Sequence, residues 1–240
     1  MKYRYRTLAF LFALSIITFL DRVCMNVVSK YVKSDLGLNN EELGWILGAF
    51  SLAYALFEIP TGAMGDRLGP RRVLTRVVLW WSGFTALTGT AFNFLYLLVV
   101  RFLFGMGEAG AYPNATIAIS RWFPAIEVGR AQSAIWAAGR IGGALTPLLV
   151  IPLVHAVGWR WAFVVLGAAG ALWALAWFIW FRDEPSNMEG ISEEEIREIE
   201  TGRNLKQTDH AIPWKTIILN PDIWALMLMV HLLCQGGLVR

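Results

Sequence analysis

The sequence predicts an all-α membrane protein: a six-helix bundle followed by a truncated seventh helix. Three observations carry that prediction. Hydrophobic residues fill 56% of the 240 positions, and only 16% are charged, against roughly a quarter in soluble domains. The apolar residues also gather in repeated runs of about twenty, the length a helix needs to cross a hydrocarbon core about 30 Å thick. A water-soluble domain could use this content only in one large core, so the repeated runs exclude that class.

The first run covers 7–28 and follows the basic start MKYRYR. It continues through Asp21 and Arg22 without a small-residue cleavage site, so a spanning helix is expected rather than a signal peptide. The second and third runs, 43–64 and 73–92, flank an arginine-rich loop. The fourth and fifth, 95–119 and 131–154, carry Gly105, Gly107, Gly110, Gly139, Gly142 and Gly143, small residues that let helix backbones approach. Pro113 and Pro147 mark expected bends in them. The sixth run is 161–181, and a seventh, 222–239, is barely long enough and reads as cut by the end of the chain. Trp45, Trp122, Trp159, Trp161, Trp180 and Trp214 fall near span ends, where interfacial aromatics are expected. Between the sixth and seventh runs lies SEEEIREIETG, in which Ser192 and Glu195 form a capping-box pattern and Gly202 a stop, predicting a short solvated helix. The expected organisation is therefore a six-span domain over 1–181, a cytoplasmic linker over 182–215 and the start of a second domain over 216–240.

Lysine and arginine in the loops set the expected orientation. One side holds Lys2, Arg4, Arg6, Arg67, Arg71, Arg72, Arg76, Arg121, Arg130, Arg182, Arg197, Arg203, Lys206 and Lys215, whereas the other holds Lys30, Lys33 and Arg160. The N-terminus and the linker are thus expected in the cytoplasm. The same asymmetry explains the formal charge of +3, and no basic groove motif points to nucleic acid. Cys24 and Cys234 lie inside apolar runs, and His155, His210 and His231 have no ligand spacing, so neither a disulfide framework nor a metal site is expected. There is no Ser/His/Asp arrangement and no phosphate loop, and hence no case for an enzyme or a bound cofactor.

The informative residues are the ionisable groups left inside spans: Asp21, Arg22, Glu58, Arg101, Glu108 and Arg140. Such groups cost several kcal/mol at bilayer depth and normally face a bundle interior or a wet cavity. Helical spacing gathers Ser15, Thr18, Arg22, Asn26 and Ser29 into one stripe, Arg101, Gly105, Glu108 and Tyr112 into a second, and Gln132, Trp136, Arg140, Gly143 and Pro147 into a third. Asp21 lies roughly 21 Å from the cytoplasmic end of its run and Arg101 roughly 9 Å from the outer end of its own, at 1.5 Å per residue. Those depths coincide, so Asp21 is expected to pair with Arg101, and Arg22 to reach Glu108 only across a cavity. Glu58 is expected near the cytoplasmic end of its span, as a gating group or as a partner of Arg140. A set of purely structural ion pairs is the alternative reading of these charges.

The segment GAMGDRLGPRR, 62–72, resembles the signature of the major facilitator superfamily, with Pro70 in one basic position and Met64 in the usual leucine position. FLDRVCMNVV in the first span, RFLFGMGEAGAYP over 101–113, and GWRWAF followed by FRDEPSNMEGISEEE are similar to the anion:cation symporter branch. That branch includes hexuronate, glucarate, galactonate and phthalate permeases and the animal sialic acid and vesicular glutamate carriers. The resemblance implies the N-terminal half of a two-half transporter, completed by a missing C-terminal half or by a second copy, in the cell (inner) membrane. It implies symport of an organic anion such as a sugar acid or other carboxylate, driven by the transmembrane proton gradient with no cofactor. Asp21 and Glu108 would then be proton-coupling residues. Arg22, Tyr54, Arg101 and Arg140 would bind substrate, and Gly62, Asp66, Arg67, Gly69 and Arg71 would form a cytoplasmic gate, with Asp66 attracting a helix N-terminus of the opposite half. A drug or metabolite efflux antiporter and a non-transporting receptor of the same fold are the competing readings; GRIGGALTP keeps only part of the fifth-span pattern an antiporter would carry.

Overall fold

The structure is a computed structural model that describes residues 2–200 together with 220 and 221. Its elements among these residues are helices: α1 (Tyr3–Leu36), α2 (Asn40–Leu68), α3 (Pro70–Thr88), α4 (Phe94–Glu108), α5 (Ala111–Trp122), α6 (Ala125–Trp180), a 3-10 turn at Pro185–Asn187 and α7 (Glu193–Glu200). The expected seventh span over 222–239, Gly202, Trp214, His210, His231 and Cys234 lie outside the described residues.

Local chemistry explains most of the boundaries. Gly37 closes α1 in the left-handed region at φ 64°, with its N–H donating to the Lys33 carbonyl. Asn39 opens α2 with a full capping box: the Glu42 N–H donates to Asn39 Oδ1 at 2.8 Å, and the Asn39 N–H to Glu42 Oε2 at 2.9 Å. Gly69, at φ 81°, reverses the chain directly into Pro70, which occupies the first turn of α3, where a missing N–H costs nothing. Asn93 caps α4 by accepting the Tyr96 N–H at 2.8 Å.

Four helical stretches are long and apolar enough to cross a membrane: Tyr3–Leu36, Asn40–Leu68, Phe94–Trp122 and Ala125–Trp180. The last has 56 residues, about 84 Å at 1.5 Å per residue, far beyond a single crossing. It divides at Gly158, whose φ of 80° and ψ of 159° are not helical. The four stretches thus provide five of the six expected spans. α3, which occupies the third expected span, is not among them: its 19 residues include Arg71, Arg72 and Arg76 in the first two turns, which lowers its hydropathy, although it packs in the bundle against α6 and α4.

Neither expected bend falls at its proline. The fourth span breaks at Ala109 and Gly110, between α4 and α5, and Pro113 sits in the first turn of α5, where proline is tolerated. Pro147 lies within α6 without a break; the turn at Gly158, which has no Cβ to oppose a positive φ, is the expected separation of the fifth span from the sixth. The tryptophans divide as well. Trp45 and Trp161 are each 63% exposed, as interfacial anchors should be, whereas Trp122 and Trp159 are buried; Trp122 donates its indole N–H to the Arg182 carbonyl at 3.0 Å.

α1 packs along both parts of α6, α3 along α6 and α4, and α2 along α4. The glycines of the fourth and fifth spans are where backbones meet. A Cβ on Gly105 would lie 2.5 Å from the Phe50 carbonyl oxygen of α2, and one on Gly142 would lie 2.8 Å from the Ile16 carbonyl oxygen of α1. The core is two apolar clusters. One includes Leu11, Leu14, Phe104, Trp122 and Trp177, and the other Cys24, Val28, Leu97, Val150 and Phe163. Asp21 falls between Leu14 and Cys24 on α1, and Arg101 between Leu97 and Phe104 on α4, so the buried charges occupy the seam between the clusters.

α7 is not the solvated helix the sequence predicts. The Glu195 N–H donates to Ser192 Oγ at 3.2 Å, but the Glu195 carboxylate, instead of completing the box, accepts the Arg4 backbone N–H at 2.9 Å. Glu198 accepts from Lys2 Nζ at 2.5 Å and from Arg4 Nη1 at 2.9 Å, and Arg4 Nη2 lies 3.4 Å from Glu127 Oε1 at the start of α6. The hydrogen bond from Lys2 holds the Glu198 carboxyl below the usual carboxylate range, so this clamp is charged at neutral pH. At the other end of the bundle Arg160 pairs with Asp35 at 2.8 Å.

Candidate functional site

Three helices bring the buried charges together. α1 supplies Asp21 and Arg22, α4 supplies Arg101 and Glu108, and α2 covers them with Phe50 and Tyr54. Asp21, Arg101 and Glu108 are each no more than 1% exposed. The Arg22 side chain is 27% exposed and reaches inwards to the fully buried Glu108. Its Nε and Nη2 both donate to Glu108 Oε1, at 3.0 and 2.7 Å.

This meets the expected pairing in part. Arg22 meets Glu108 directly, without a cavity between them, and no ion pair joins Asp21 to Arg101. Adjacent residues on a helix point about 100° apart, at 3.6 residues per turn, so only one of Asp21 and Arg22 can face Glu108. α1 is rotated to present the arginine.

Aromatic faces hold both arginines. The Arg22 guanidinium carbon lies 4.8 Å from the Tyr54 ring centroid and 5.3 Å from those of Phe19 and Phe50. That of Arg101 lies 4.4 Å from Phe104 and 5.4 Å from Phe50. A cation that loses water on burial regains part of that energy from the quadrupoles of such rings. Phe19 and Phe50 are site residues that a search for ionisable groups passes over. The available signal is spacing: Phe50 and Tyr54 are four apart on α2, and therefore share a face.

Several polar atoms here lack close partners. Both Asp21 oxygens, Glu108 Oε2, Arg101 Nε, the Tyr112 hydroxyl, the Trp81 indole nitrogen and the Thr85 hydroxyl are buried without a close hydrogen bond. Trp81 and Thr85 of α3 are the donors that face the Asp21 carboxyl.

Other expected residues stand further out. Arg140 is exposed and has no ion pair with Glu58, which is half-buried. Tyr112 stacks on Trp136 with centroids 4.8 Å apart, which places the α6 stripe beside the site. Of the expected gate, Gly62 packs against Pro113, with a Cβ there 3.1 Å from the proline Cβ, and Gly69 makes the α2–α3 reversal. Asp66 and Arg67 are exposed. Arg71 turns instead to the end of α6: its Nη2 and Nε donate to the Phe178 carbonyl at 2.6 and 2.9 Å, and its backbone N–H donates to Asp183 Oδ1 at 2.8 Å. Asp183, absent from the expected set, thus caps the N-terminus of α3 from within the same half.

Comparison with known proteins gives a consistent result. Residues 11–239 match the family model described as Major Facilitator Superfamily. The chain is 37% identical over 219 residues to a probable sulfoacetate transporter of Cupriavidus necator, covering 90% of this chain and 51% of that protein. It is 31% identical to a probable L-galactonate transporter of Escherichia coli, covering 91% of this chain and 48% of that one. The chain therefore spans about half the length of the curated relatives it matches. Among solved structures, a bacterial homologue of the human lysosomal transporter Spinster, inward-facing and unoccupied, superposes with a TM-score of 0.66 at 27% identity, over 76% of this chain and 44% of that one. A proton:xylose symporter superposes at 0.68 with 14% identity, over 83% and 50%, a likeness of fold alone.

Proposed function

Since the chain belongs to the major facilitator superfamily, in its anion:cation symporter branch, we propose that it is the N-terminal half of a secondary transporter that imports a small organic anion together with protons by alternating access. The second half would come from the rest of a longer polypeptide or from a second copy of the chain. The relatives named above are transporters of sulfonated and sugar acids rather than enzymes.

The Arg22–Glu108 pair is the observation that carries the reading. Arg22 presents a planar fork matched to a carboxylate or sulfonate, and Glu108 already occupies part of it. Substrate and Glu108 thus compete for the same cation. When Glu108 takes a proton, its hold on Arg22 weakens and the fork turns to the anion; when the anion leaves, Arg22 recaptures a deprotonated Glu108. Proton uptake and anion uptake then favour each other, as symport requires. Asp21, buried beside Arg101 and faced by Trp81 and Thr85, is the second proton-coupling group. Tyr54 walls the Arg22 pocket, and Arg140 adds a positive charge at the exposed side that draws anions in. Asp66 and Arg67, unpaired among the described residues, are the gate groups left for the opposite half.

The test is uptake of labelled sulfoacetate and L-galactonate into proteoliposomes containing the full-length protein, with and without an inward proton gradient. Gradient-driven accumulation of either acid is expected. Absence of both uptake and exchange, from protein shown to be folded, would sink the organic-anion reading.

Orientation is the second part of the proposal: N-terminus and linker in the cytoplasm, in the cell membrane. The lysine- and arginine-rich end that carries Lys2, Arg4, Arg71 and Arg182 supports it. A membrane-impermeant thiol reagent applied to intact cells is expected to label a cysteine introduced at Asn39 and to spare one at Asn187. The opposite pattern would invert the topology.

A further inference from the structure

A groove with a cavity volume of about 230 Å³ opens between α2, α3 and α4, away from the Arg22–Glu108 site. Phe57 and Met64 of α2 form one wall, and Val77 and Trp80 of α3 form the other. Met106 and Gly107 of α4 form the floor. Gly107 is required there, because a Cβ would lie 2.2 Å from the Trp80 ring. Trp80 is fixed in turn by donating its indole N–H to the Leu103 carbonyl at 2.9 Å. The slot is thus shaped by packing and lined almost wholly by apolar groups, with one charged exception, Arg76.

Arg76 is exposed, and so is Arg72, one helical turn earlier on the same face of α3. Neither has an acidic partner among the described residues. Arg71, next to them, is turned away to Phe178 and Asp183. Two like charges stacked at i and i+4 repel each other; Arg76 lines the apolar slot and Arg72 stands one helical turn beyond it. A ligand that answers both features carries an anionic head beside hydrocarbon. Basic pockets between membrane helices take anionic lipid headgroups for this reason.

We propose that this groove is a binding site for one anionic phospholipid, its phosphate on Arg76 and Arg72 and an acyl chain laid between Phe57 and Trp80 over Gly107. The lipid would brace α2 against α3 and α4, outside the transport site.

Native mass spectrometry of the full-length protein, released from micelles with defined amounts of phosphatidylglycerol or phosphatidylcholine, tests the proposal. At equal lipid the first phosphatidylglycerol adduct is expected to exceed the phosphatidylcholine adduct at least about fivefold. Arg76→Gln is expected to reduce that preference to about twofold or less, whereas Arg130→Gln, an exposed arginine far along the chain on α6, leaves it unchanged. A phosphatidylglycerol carrying a photoreactive acyl chain is expected to label the peptides around Trp80 and Met106. Equal adducts of the two lipids, equal loss in both variants, or labelling confined to other helices would overturn the site. Arg76→Gln replaces an exposed side chain, and a circular dichroism spectrum matching wild type establishes that any change is one of binding.

Discussion

Arg22→Gln is expected to lower transport at least a hundredfold and to destabilise the protein. Removing one member of a buried ion pair leaves the other charge uncompensated, at a cost of about 3–5 kcal/mol; the low end applies here because the Arg22 side chain is 27% exposed. The double variant Arg22→Gln with Glu108→Gln removes both charges and keeps a hydrogen-bonding pair in their place. It is expected to recover most of the lost melting temperature and none of the transport. That split between stability and uptake, measured by thermal shift and proteoliposome assay on the same preparations, distinguishes a functional pair from a structural one. A double variant that transports at the wild-type rate would reduce the pair to packing.

The second large effect is steric. Gly105→Leu is expected to separate α2 from α4 and to abolish folded protein in membranes. The obstacle is backbone rather than a movable side chain: a Cβ at this position would lie 2.5 Å from the Phe50 carbonyl oxygen. Overpacking of a closed interface costs about 1–3 kcal/mol even where side chains can adjust, and here they cannot. The same helix face carries Arg101 and Glu108, so displacement of α4 would also pull Glu108 from Arg22. Gly83→Leu is the matching control on α3, since a Cβ at Gly83 meets nothing within 4 Å. Expression and size-exclusion profiles of the two variants decide the matter, and a monodisperse Gly105→Leu protein would show that the α2–α4 contact is looser than described.

What could be read from the sequence follows from what periodicity encodes. Apolar runs and loop charges give spans and their ends, and helical spacing gives the faces on which Arg22, Glu108 and Arg101 lie. Periodicity carries no rotation of one helix against another, and the pairing of charges depends on that rotation. The depth argument therefore placed Asp21 level with Arg101 but could not show that α1 turns Arg22 towards Glu108. The turn at Gly158 falls in the interval expected between the fifth and sixth spans, whereas the bend expected at Pro147 is absent, because proline there loses one hydrogen bond inside a helix that neighbours support. Asp183 was missed because its role as a cap on α3 arises only when the chain after α6 returns to the start of α3, and Arg71 and Asp183 are 112 residues apart in sequence. Phe19 and Phe50 were missed because in a chain with 14 phenylalanines an aromatic residue on an apolar helix is no signal by itself.

The central claim is that Glu108 and the transported anion compete for Arg22, and anion binding to Glu108→Gln tests it most directly. Equilibrium binding of sulfoacetate or L-galactonate to purified full-length protein at neutral pH would be compared with that of wild type. The account predicts binding at least about tenfold tighter in the variant, because a neutral amide holds Arg22 less strongly than a carboxylate does, together with loss of the pH dependence expected of wild type. Binding that is unchanged or weaker in Glu108→Gln would contradict it.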